Sequence, residues 1–333
     1  MAIPRYYAPM RILVTGGAGF IGSHLCERLV NDGHSVVALD NLSTGLSSNL
    51  SSLKGVDRFK LIEGSILDNQ VLKPLIGEAD YVFHLAAAVG VFNIVNNPLV
   101  SLLTNIRGTE NVLEAACAAK IPVFLASSSE VYGKNTSDSL QESDNRILGS
   151  PLMLRWSYSE AKAIDESLSY AYFVEKHLET RIVRFFNTVG PRQLGAYGMV
   201  VPRFVKSALS NEPITIYGDG HQTRCFAHVY DVVDAVIAIA FSKNTIGKLI
   251  NIGNDFEISI KSLAQKIILE TNSESKVVYV PYAEAYGEGF EDMERRVPNI
   301  DLIDQLVGWK PQRNLSTIIN DISAEMGKHL TAN

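Results

Sequence analysis

The strongest constraint on the fold is a glycine-rich turn near the start of the chain, in the segment RILVTGGAGFIGSHLCERL. Gly17, Gly19 and Gly22 stand at G-x-G-x-x-G spacing, directly after an apolar run and at the start of a helical pattern. This arrangement permits a tight turn, a close approach of backbone to a pyrophosphate and close packing of helix on strand. The spacing alone is a weak signal, because an ordinary glycine-rich turn can share it.

A carboxylate further along the chain strengthens the signal. Asp40 ends the next apolar run, SVVALD, 18 residues after Gly22. In a strand–turn–helix unit, an acidic residue at this place bonds the ribose hydroxyls of a dinucleotide and repels a 2′-phosphate. The pattern therefore predicts a site for NAD rather than NADP, and Gly16 extends the same turn.

The first half of the chain alternates short apolar runs with helical stretches, which predicts an α/β fold with a parallel, doubly wound sheet. The expected strands are residues 11–15, 35–40, 59–64, 81–86 and 123–128, with helices that include 20–33 and 106–120, and 42–55 as a loop. After residue 187 glycine and proline turns become frequent, although 180–187 still has the pattern of a strand. We expect an NAD-binding domain at 1–187 and a smaller substrate-binding α/β part at 188–333, from which some chain returns to the sheet.

Composition argues against several classes of function. The net charge is −6 with no basic stripe, which argues against nucleic acid as a partner. The three cysteines are far apart without a C-x-x-C, so neither a disulfide framework nor a metal site is expected. The N-terminus lacks the pattern of a secretory signal, and the most apolar window is too short for a membrane span. We expect a cytoplasmic protein without a membrane partner.

Tyr158 and Lys162 lie four residues apart in a predicted helix. Side chains at this spacing share one helical face, and an ammonium near a phenol favours the phenolate. The pair therefore suits a base that works beside bound NAD, whose positive charge would lower the pKa of Tyr158 further. An exposed helical pair is the alternative.

Together these segments resemble the extended short-chain dehydrogenase/reductase superfamily, in its nucleotide-sugar epimerase, dehydratase and decarboxylase branch. The resemblance covers nearly the whole chain and includes TGGAGFIG, HLAA, SSSEVYG, YSEAK, RFFNTVGPR, YGDGHQTRCF and NIGN. It implies a Rossmann sheet, bound NAD and a UDP-sugar substrate. It also implies a homodimer formed through helices at about 100–118 and 156–176.

The resemblance also implies roles for individual residues. Ser128 matches a hydroxyl that helps hold the C4 oxygen of the sugar, Tyr158 matches the base, and Lys162 matches the residue that bonds the nicotinamide ribose. The full catalytic set is Ser128, Glu130, Tyr158, Lys162 and Arg296.

The implied NAD-binding residues are Gly16, Gly19, Phe20, Ile21, Gly22, Asp40, Asn41, Ser65, Ile66, Leu85, Ala86, Ala87, Asn105, Tyr158 and Lys162. The implied substrate-binding residues are Asn187, Val201, Arg203, Tyr217, Arg224 and Arg296. Ser65 departs from the aspartate that many relatives place against adenine, so we expect weaker NAD binding rather than lost function.

Three reactions share oxidation of the sugar at C4. The resulting ketone is reduced from the other face in a 4-epimerase, loses water in a 4,6-dehydratase, or loses CO₂ when C5 bears a carboxylate. Glu130 argues against a plain 4-epimerase, which usually has a small or hydroxyl residue there. Ser129 argues against the dTDP-glucose type of dehydratase, which has aspartate there.

The segment DMERRVPNI, residues 292–300, resembles an arginine-containing segment of UDP-glucuronate decarboxylases. In that comparison Arg296 lies near the substrate's diphosphate and carboxylate, and Arg155 and Trp156 favour the same group. The prediction is therefore decarboxylation of UDP-glucuronate to UDP-xylose, with NAD⁺ regenerated in each cycle.

Several alternatives remain open at this point. The enzyme could be a 4-epimerase of a UDP-hexose or a UDP-uronate, or a 4,6-dehydratase. From a different class, the chain could be a non-catalytic NAD-bound sensor or scaffold. Glu130 could be a structural carboxylate, and Arg295 and Arg296 could be surface charges.

Overall fold

The structure is a computed structural model that describes residues 8–89, 97–195, 199–281 and 295–330, together with Glu284 and Met293. The part of the chain after residue 187 that is frequent in glycine and proline turns lies partly outside these residues. Asp292 and Glu294, in the arginine-containing segment at 292–300, also lie outside the described residues.

A seven-stranded parallel sheet forms the centre of the molecule. From one edge to the other its strands are β3 (Phe59–Glu63), β2 (Ser35–Asp40), β1 (Arg11–Thr15), β4 (Tyr81–His84), β5 (Val123–Ser128), β6 (Thr180–Phe185) and β11 (Leu249–Ile252). The order reverses between β1 and β4, so the carboxyl ends of the strands border a crevice, which is where such sheets bind ligands. The predicted doubly wound α/β fold is confirmed.

Nine α-helices are described. They are α1 (Phe20–Asn31), α2 (Asn69–Gly77), α3 (Pro98–Ala119), α4 (Ser157–Lys176), α5 (Val200–Leu209), α6 (Val229–Phe241), α7 (Ile260–Glu270), α8 (Asp301–Val307) and α9 (Leu315–Leu330). The segment 42–55, expected to be a loop, contains a 3₁₀ helix at Ser47–Leu53. It forms because Leu50 and Leu53 turn inward and become buried.

Six further short strands are described, and they pair to form three two-stranded sheets. They are β7 (Thr188–Val189), β8 (Ile214–Tyr217), β9 (Thr223–Cys225), β10 (Ala227–His228), β12 (Glu257–Ser259) and β13 (Val277–Val280). All six follow residue 187, where the sequence pattern becomes less regular.

Three large apolar clusters and one small one, at Val131, Tyr132, Leu140 and Phe186, form the core of the described residues. One lies between the sheet and α1, α6 and α8, and a second lies on the opposite face under α2 and α3. A third joins α5, α7, α9 and β8 away from the sheet. Because β11 and α6 pack with the sheet although they follow residue 187, the two parts share a core, and the boundary at residue 187 stays a prediction. No helix among the described residues is long and apolar enough to cross a membrane.

Candidate active site

The glycine-rich turn brings bare backbone to the carboxyl end of β1. Gly16 has a φ of +73°, and a Cβ added to it would lie 2.7 Å from the backbone nitrogen of Ala86. A Cβ on Gly22 would lie 2.1 Å from the carbonyl oxygen of Gly16. These contacts explain why the turn needs glycine at both places. Gly19 precedes the first turn of α1, whose N–H groups have no side-chain cap and can face an anion.

Asp40 joins the glycine-rich turn to the segment that follows β2. Its two carboxylate oxygens accept hydrogen bonds from the backbone N–H groups of Ala18, at 2.9 Å, and Leu42, at 2.8 Å. The carboxylate is therefore fixed at the end of β2, beside the glycine-rich turn. This agrees with the position expected for a ribose contact.

The segment after β4 is held against the same turn. The Thr15 hydroxyl accepts a hydrogen bond from the Ala86 N–H, at 3.3 Å. The side chain of Asn105 accepts from the Ala88 N–H, at 2.8 Å, and donates to the Ala88 carbonyl. Asn105 thus positions the segment that contains Leu85 and Ala86, and a direct contact between Asn105 and NAD stays a prediction.

The other predicted NAD-binding residues lie along the same edge. Phe20 and Ile21 open α1, Ala87 follows β4, and Asn41 follows Asp40 with its side chain bonded to Ser43. Ser65 follows β3, and its hydroxyl accepts from the Leu67 N–H. Ile66 is buried against Gly108 of α3, so its side chain acts in packing.

Tyr158 lies in the first turn of α4, beside Ser128 at the end of β5. Burial raises the pKa of Tyr158, and the negative charges of Glu130 and Asp165 raise it further, while the side chain of Ser128 lowers it. The structure therefore places Ser128, expected to hold the C4 oxygen, and Glu130 close to Tyr158.

Lys162 is held by two buried partners. Its ammonium is 2% exposed and donates to the Ala126 carbonyl, at 3.0 Å, and to the Asp165 carboxylate, at 3.1 Å. That Lys162 and bound NAD⁺ together lower the pKa of Tyr158 stays a prediction. Without NAD⁺, burial raises the pKa of the phenol, and the negative charges of Glu130 and Asp165 raise it further.

Glu130 lies between two arginines. One of its oxygens is 2.7 Å from Nη2 of Arg296, and the other is 2.7 Å from Nη1 of Arg155. Both guanidinium groups are 7% exposed, and Nη1 of Arg296 also donates to the Ser129 hydroxyl. Burial alone would raise the pKa of Glu130, but the positive charges of Arg296 and Arg155 outweigh it and lower the pKa to about 2. The cluster is thus ionised at neutral pH and has one net positive charge.

The neighbouring arginines Arg295 and Arg296 face different surroundings. Arg296 is buried with Glu130, whereas the side chain of Arg295 is 42% exposed and forms ion pairs with Glu257 and Asp138. The alternative that both are surface charges therefore holds only for Arg295.

The predicted substrate-binding residues occupy two places. Asn187 follows β6 and donates to the Cys225 carbonyl, and Arg224 lies beside it in β9. Arg203 of α5 stacks on Tyr217 of β8, with 4.4 Å between the guanidinium carbon and the ring centroid. Val201 is fully buried in the C-terminal core, so its side chain serves packing. Contact of any of these residues with a substrate stays a prediction.

Two residues of the site were not among the predicted functional residues. Arg155 precedes Tyr158 by three positions and forms one side of the Glu130 cluster. Asp165 follows Lys162 by three positions on the same helical face, and the i, i+3 spacing is the signal that could have identified it. Among the described residues, no group of three or more His, Cys, Asp or Glu side chains could hold a metal ion.

Comparison with known proteins places the chain in a family. The profile of the NAD dependent epimerase/dehydratase family matches residues 12–253, which include the glycine-rich turn, Asp40 and the Tyr158–Lys162 pair. The chain belongs to this family. The cofactor is NAD, and the bare backbone at Gly16 and Gly22, the uncapped start of α1 and the fixed carboxylate of Asp40 fit it.

Individual relatives of this family align over most of the chain. UDP-N-acetyl-alpha-D-glucosaminuronate decarboxylase of Bacillus cytotoxicus is 43% identical over 302 residues, covering 90% of this chain and 92% of the relative. UDP-glucuronic acid decarboxylase 1 of Danio rerio is 37% identical, covering 95% of this chain and 73% of the relative. The structure is also similar to that of UDP-glucuronic acid 4-epimerase from Bacillus cereus in complex with UDP-glucuronic acid and NAD. The TM-score is 0.84 at 30% identity, covering 96% of this chain and all of that one.

Proposed function

We propose that this chain is an NAD-dependent decarboxylase of a UDP-linked uronic acid. The observation that supports this most is the buried Arg155–Glu130–Arg296 cluster beside Tyr158, which has one net positive charge. A substrate carboxylate would neutralise that charge, whereas a neutral hexose would leave it unmatched. The two relatives described above are both named as decarboxylases of UDP-linked uronic acids.

Ser128, Tyr158 and Lys162 have separate roles in the oxidation of the sugar at C4. Bound NAD would supply the hydride acceptor, and then the hydride donor, for C4, and its positive charge would favour the phenolate of Tyr158. Ser128 lies beside the phenol and would hold the C4 oxygen, while Tyr158 would take the proton of the C4 hydroxyl. Lys162, held by the Ala126 carbonyl and Asp165, would bond the nicotinamide ribose.

The carboxylate on C5 determines which reaction follows formation of the C4 ketone. Loss of CO₂ from this β-keto acid leaves an electron pair that is delocalised over C5, C4 and the C4 oxygen. C5 would then gain a proton from water, and C4 would be reduced as Tyr158 returns its proton to the oxygen. Arg296 would bind the carboxylate before it leaves. Glu130 is ionised at neutral pH and cannot donate a proton, so its role is to hold the two arginines and to accept hydrogen bonds.

The names of the two relatives specify different sugars, which differ at C2: an N-acetylamino group in one and a hydroxyl in the other. The predicted substrate, UDP-glucuronate, matches the relative at 37% identity, and the expected product is UDP-xylose. The relative at 43% identity favours a second candidate, UDP-N-acetylglucosaminuronate. A 4-epimerase is a weaker candidate, because plain 4-epimerases usually lack the carboxylate that Glu130 provides.

The test is to incubate the purified protein with each of these uronates and with UDP-glucose, and to measure released CO₂ and the sugar products. We expect CO₂ and a UDP-pentose from at least one uronate. A 4-epimer formed without gas would contradict decarboxylation, and no reaction with any of the three would favour a non-catalytic NAD-bound protein. Arg296→Ala should abolish CO₂ release, whereas Arg295→Ala, its exposed neighbour, should keep most of it.

We also propose the homodimer that the family resemblance implies, formed through α3 and α4. Large apolar side chains are exposed on both helices, among them Leu99 at 66% and Tyr170 at 54%, with Ile164 and Val174 nearby on α4. Burial of these side chains against a second copy would remove apolar area from water. The three cysteines are free, which is consistent with the predicted cytoplasmic location.

A further inference from the structure

The ion pair between Lys162 and Asp165 is the least solvent-accessible ion pair near the proposed base. Asp165 is 0% exposed, and its carboxylate lies 3.1 Å from the Lys162 ammonium, one turn further along α4. The ammonium also donates to the Ala126 carbonyl of β5, so two partners fix its position. Buried charges of this kind persist only when they are paired and hydrogen-bonded.

A chain of buried polar groups continues from this pair towards the glycine-rich turn. The Thr109 hydroxyl of α3 interacts with Asp165 and lies 3.1 Å from Nε2 of His84. The other ring nitrogen of His84 lies 2.8 Å from the Thr15 hydroxyl, which accepts from the Ala86 N–H. Burial and the charge of Lys162 lower the pKa of His84 to about 3, so its ring is neutral at pH 7. Asp165 is therefore the one negative charge in this chain of groups.

We propose that Asp165 is a positioning residue that holds Lys162 in place and offsets its positive charge beside Tyr158. This inference rests on the proposed function in taking Tyr158 as the base. It goes further in assigning to Asp165 the control of when that base is deprotonated. With the ammonium offset, Tyr158 stays protonated until another positive charge arrives, which couples deprotonation to the binding of NAD⁺.

The charges around these groups give the direction of the effect. Burial raises the pKa of Asp165 and the Lys162 ammonium opposes that rise, and the 3.1 Å between them makes the carboxylate the counter-charge of the lysine. The charge of Asp165 raises the pKa of Tyr158, so its removal makes the phenolate more favourable and leaves the Lys162 ammonium without the carboxylate that lies 3.1 Å from it. The titratable and charged groups that face Tyr158, Lys162 or Asp165 from the surrounding elements are Glu130 with Arg155 and Arg296, His84 and Glu166.

The test is a direct titration of the phenol in Asp165→Asn. Protein labelled with ¹³C at the ζ carbon of tyrosine is saturated with NAD⁺ and titrated by NMR, and Tyr158→Phe assigns the resonance. We expect the midpoint of Tyr158 in Asp165→Asn to fall by about one pH unit. Glu175→Gln, an exposed residue on the same helix, makes the same change of charge and should leave the midpoint unchanged.

Two further variants complete the design. Asp165→Glu keeps the charge and should keep a midpoint near that of the wild type, and Asp165→Ser replaces Asp165→Asn if the latter does not fold. A Tyr158 resonance that titrates at the same pH with and without Asp165, or in neither protein, would overturn the inference. The titration needs no turnover. A protein that converts no UDP-sugar would therefore refute the proposed function and leave this comparison intact.

Discussion

Glu130→Gln is the substitution whose consequences the structure specifies best. Glutamine has nearly the same size as glutamate, so the change removes one negative charge and little volume. In the wild type that charge lies 2.7 Å from a guanidinium nitrogen of Arg155 and of Arg296, both of them 7% exposed. The variant therefore leaves two buried cations without their counter-charge, which is the costly way to break a buried ion pair.

The size of the effect follows from the pKa of Glu130. A fall from the ordinary value of 4.5 to about 2 corresponds, at about 1.4 kcal/mol for each pH unit, to about 3 kcal/mol of stability at pH 7. Removal of one partner from a buried ion pair typically costs about 3–5 kcal/mol. We therefore expect Glu130→Gln to lower the free energy of unfolding by about 3 kcal/mol, as measured by urea denaturation at pH 7.

The pH dependence has a definite sign. Because the pKa of Glu130 is lower in the folded protein than in the unfolded chain, its contribution is complete above pH 4.5 and is lost as the pH falls towards 2. The difference between wild type and Glu130→Gln should shrink over the same window. Glu257→Gln is the control, since it breaks the exposed pair with Arg295 and should cost less than about 1 kcal/mol. Equal losses in the two variants, or a difference that does not change with pH, would refute this account of the cluster.

Three other substitutions test separate parts of the site. Tyr158→Phe should slow turnover by at least about 100-fold in a product assay, and near-normal turnover would exclude Tyr158 as the base. Gly22→Ala places a methyl group 2.1 Å from the carbonyl oxygen of Gly16 and should cost about 1–3 kcal/mol and weaken NAD⁺ binding in a fluorescence titration. Gly327→Ala is the control for that variant, since nothing lies within 4 Å of its added Cβ, and equal NAD⁺ affinity in both would contradict the packing argument. Ile164→Glu on the exposed face of α4 should convert dimers to monomers in light scattering, and an unchanged mass would contradict the proposed interface.

The apolar runs and the glycine spacing were sufficient to predict strands of the sheet and the glycine-rich turn from the sequence. Strands β1, β2 and β5 begin and end where the apolar runs predict, because strands buried on both faces are apolar along their whole length. The contacts of Gly16 and Gly22 also confirm the mechanical reason for glycine in the turn.

The charge balance of the site could not be predicted, because it depends on contacts between distant segments. Glu130 meets Arg296 although 166 positions separate them, and no spacing rule connects the two. Arg295 and Arg296 are adjacent in sequence, yet only the fold decides that one is exposed and the other buried. The raised pKa of Tyr158 has the same origin in part, since it comes first from burial and then from the charge of Glu130, which lies on another segment.

The most direct test of the account is to run the reaction with a UDP-linked uronate in deuterium oxide and to locate deuterium in the product by NMR. If Tyr158 only moves the hydroxyl proton while the hydrogen on C4 leaves and returns as hydride, the UDP-pentose will contain solvent deuterium at C5 and ordinary hydrogen at C4, with one CO₂ released per sugar. Solvent deuterium at C4, or a product that retains its carboxyl carbon, would contradict the account.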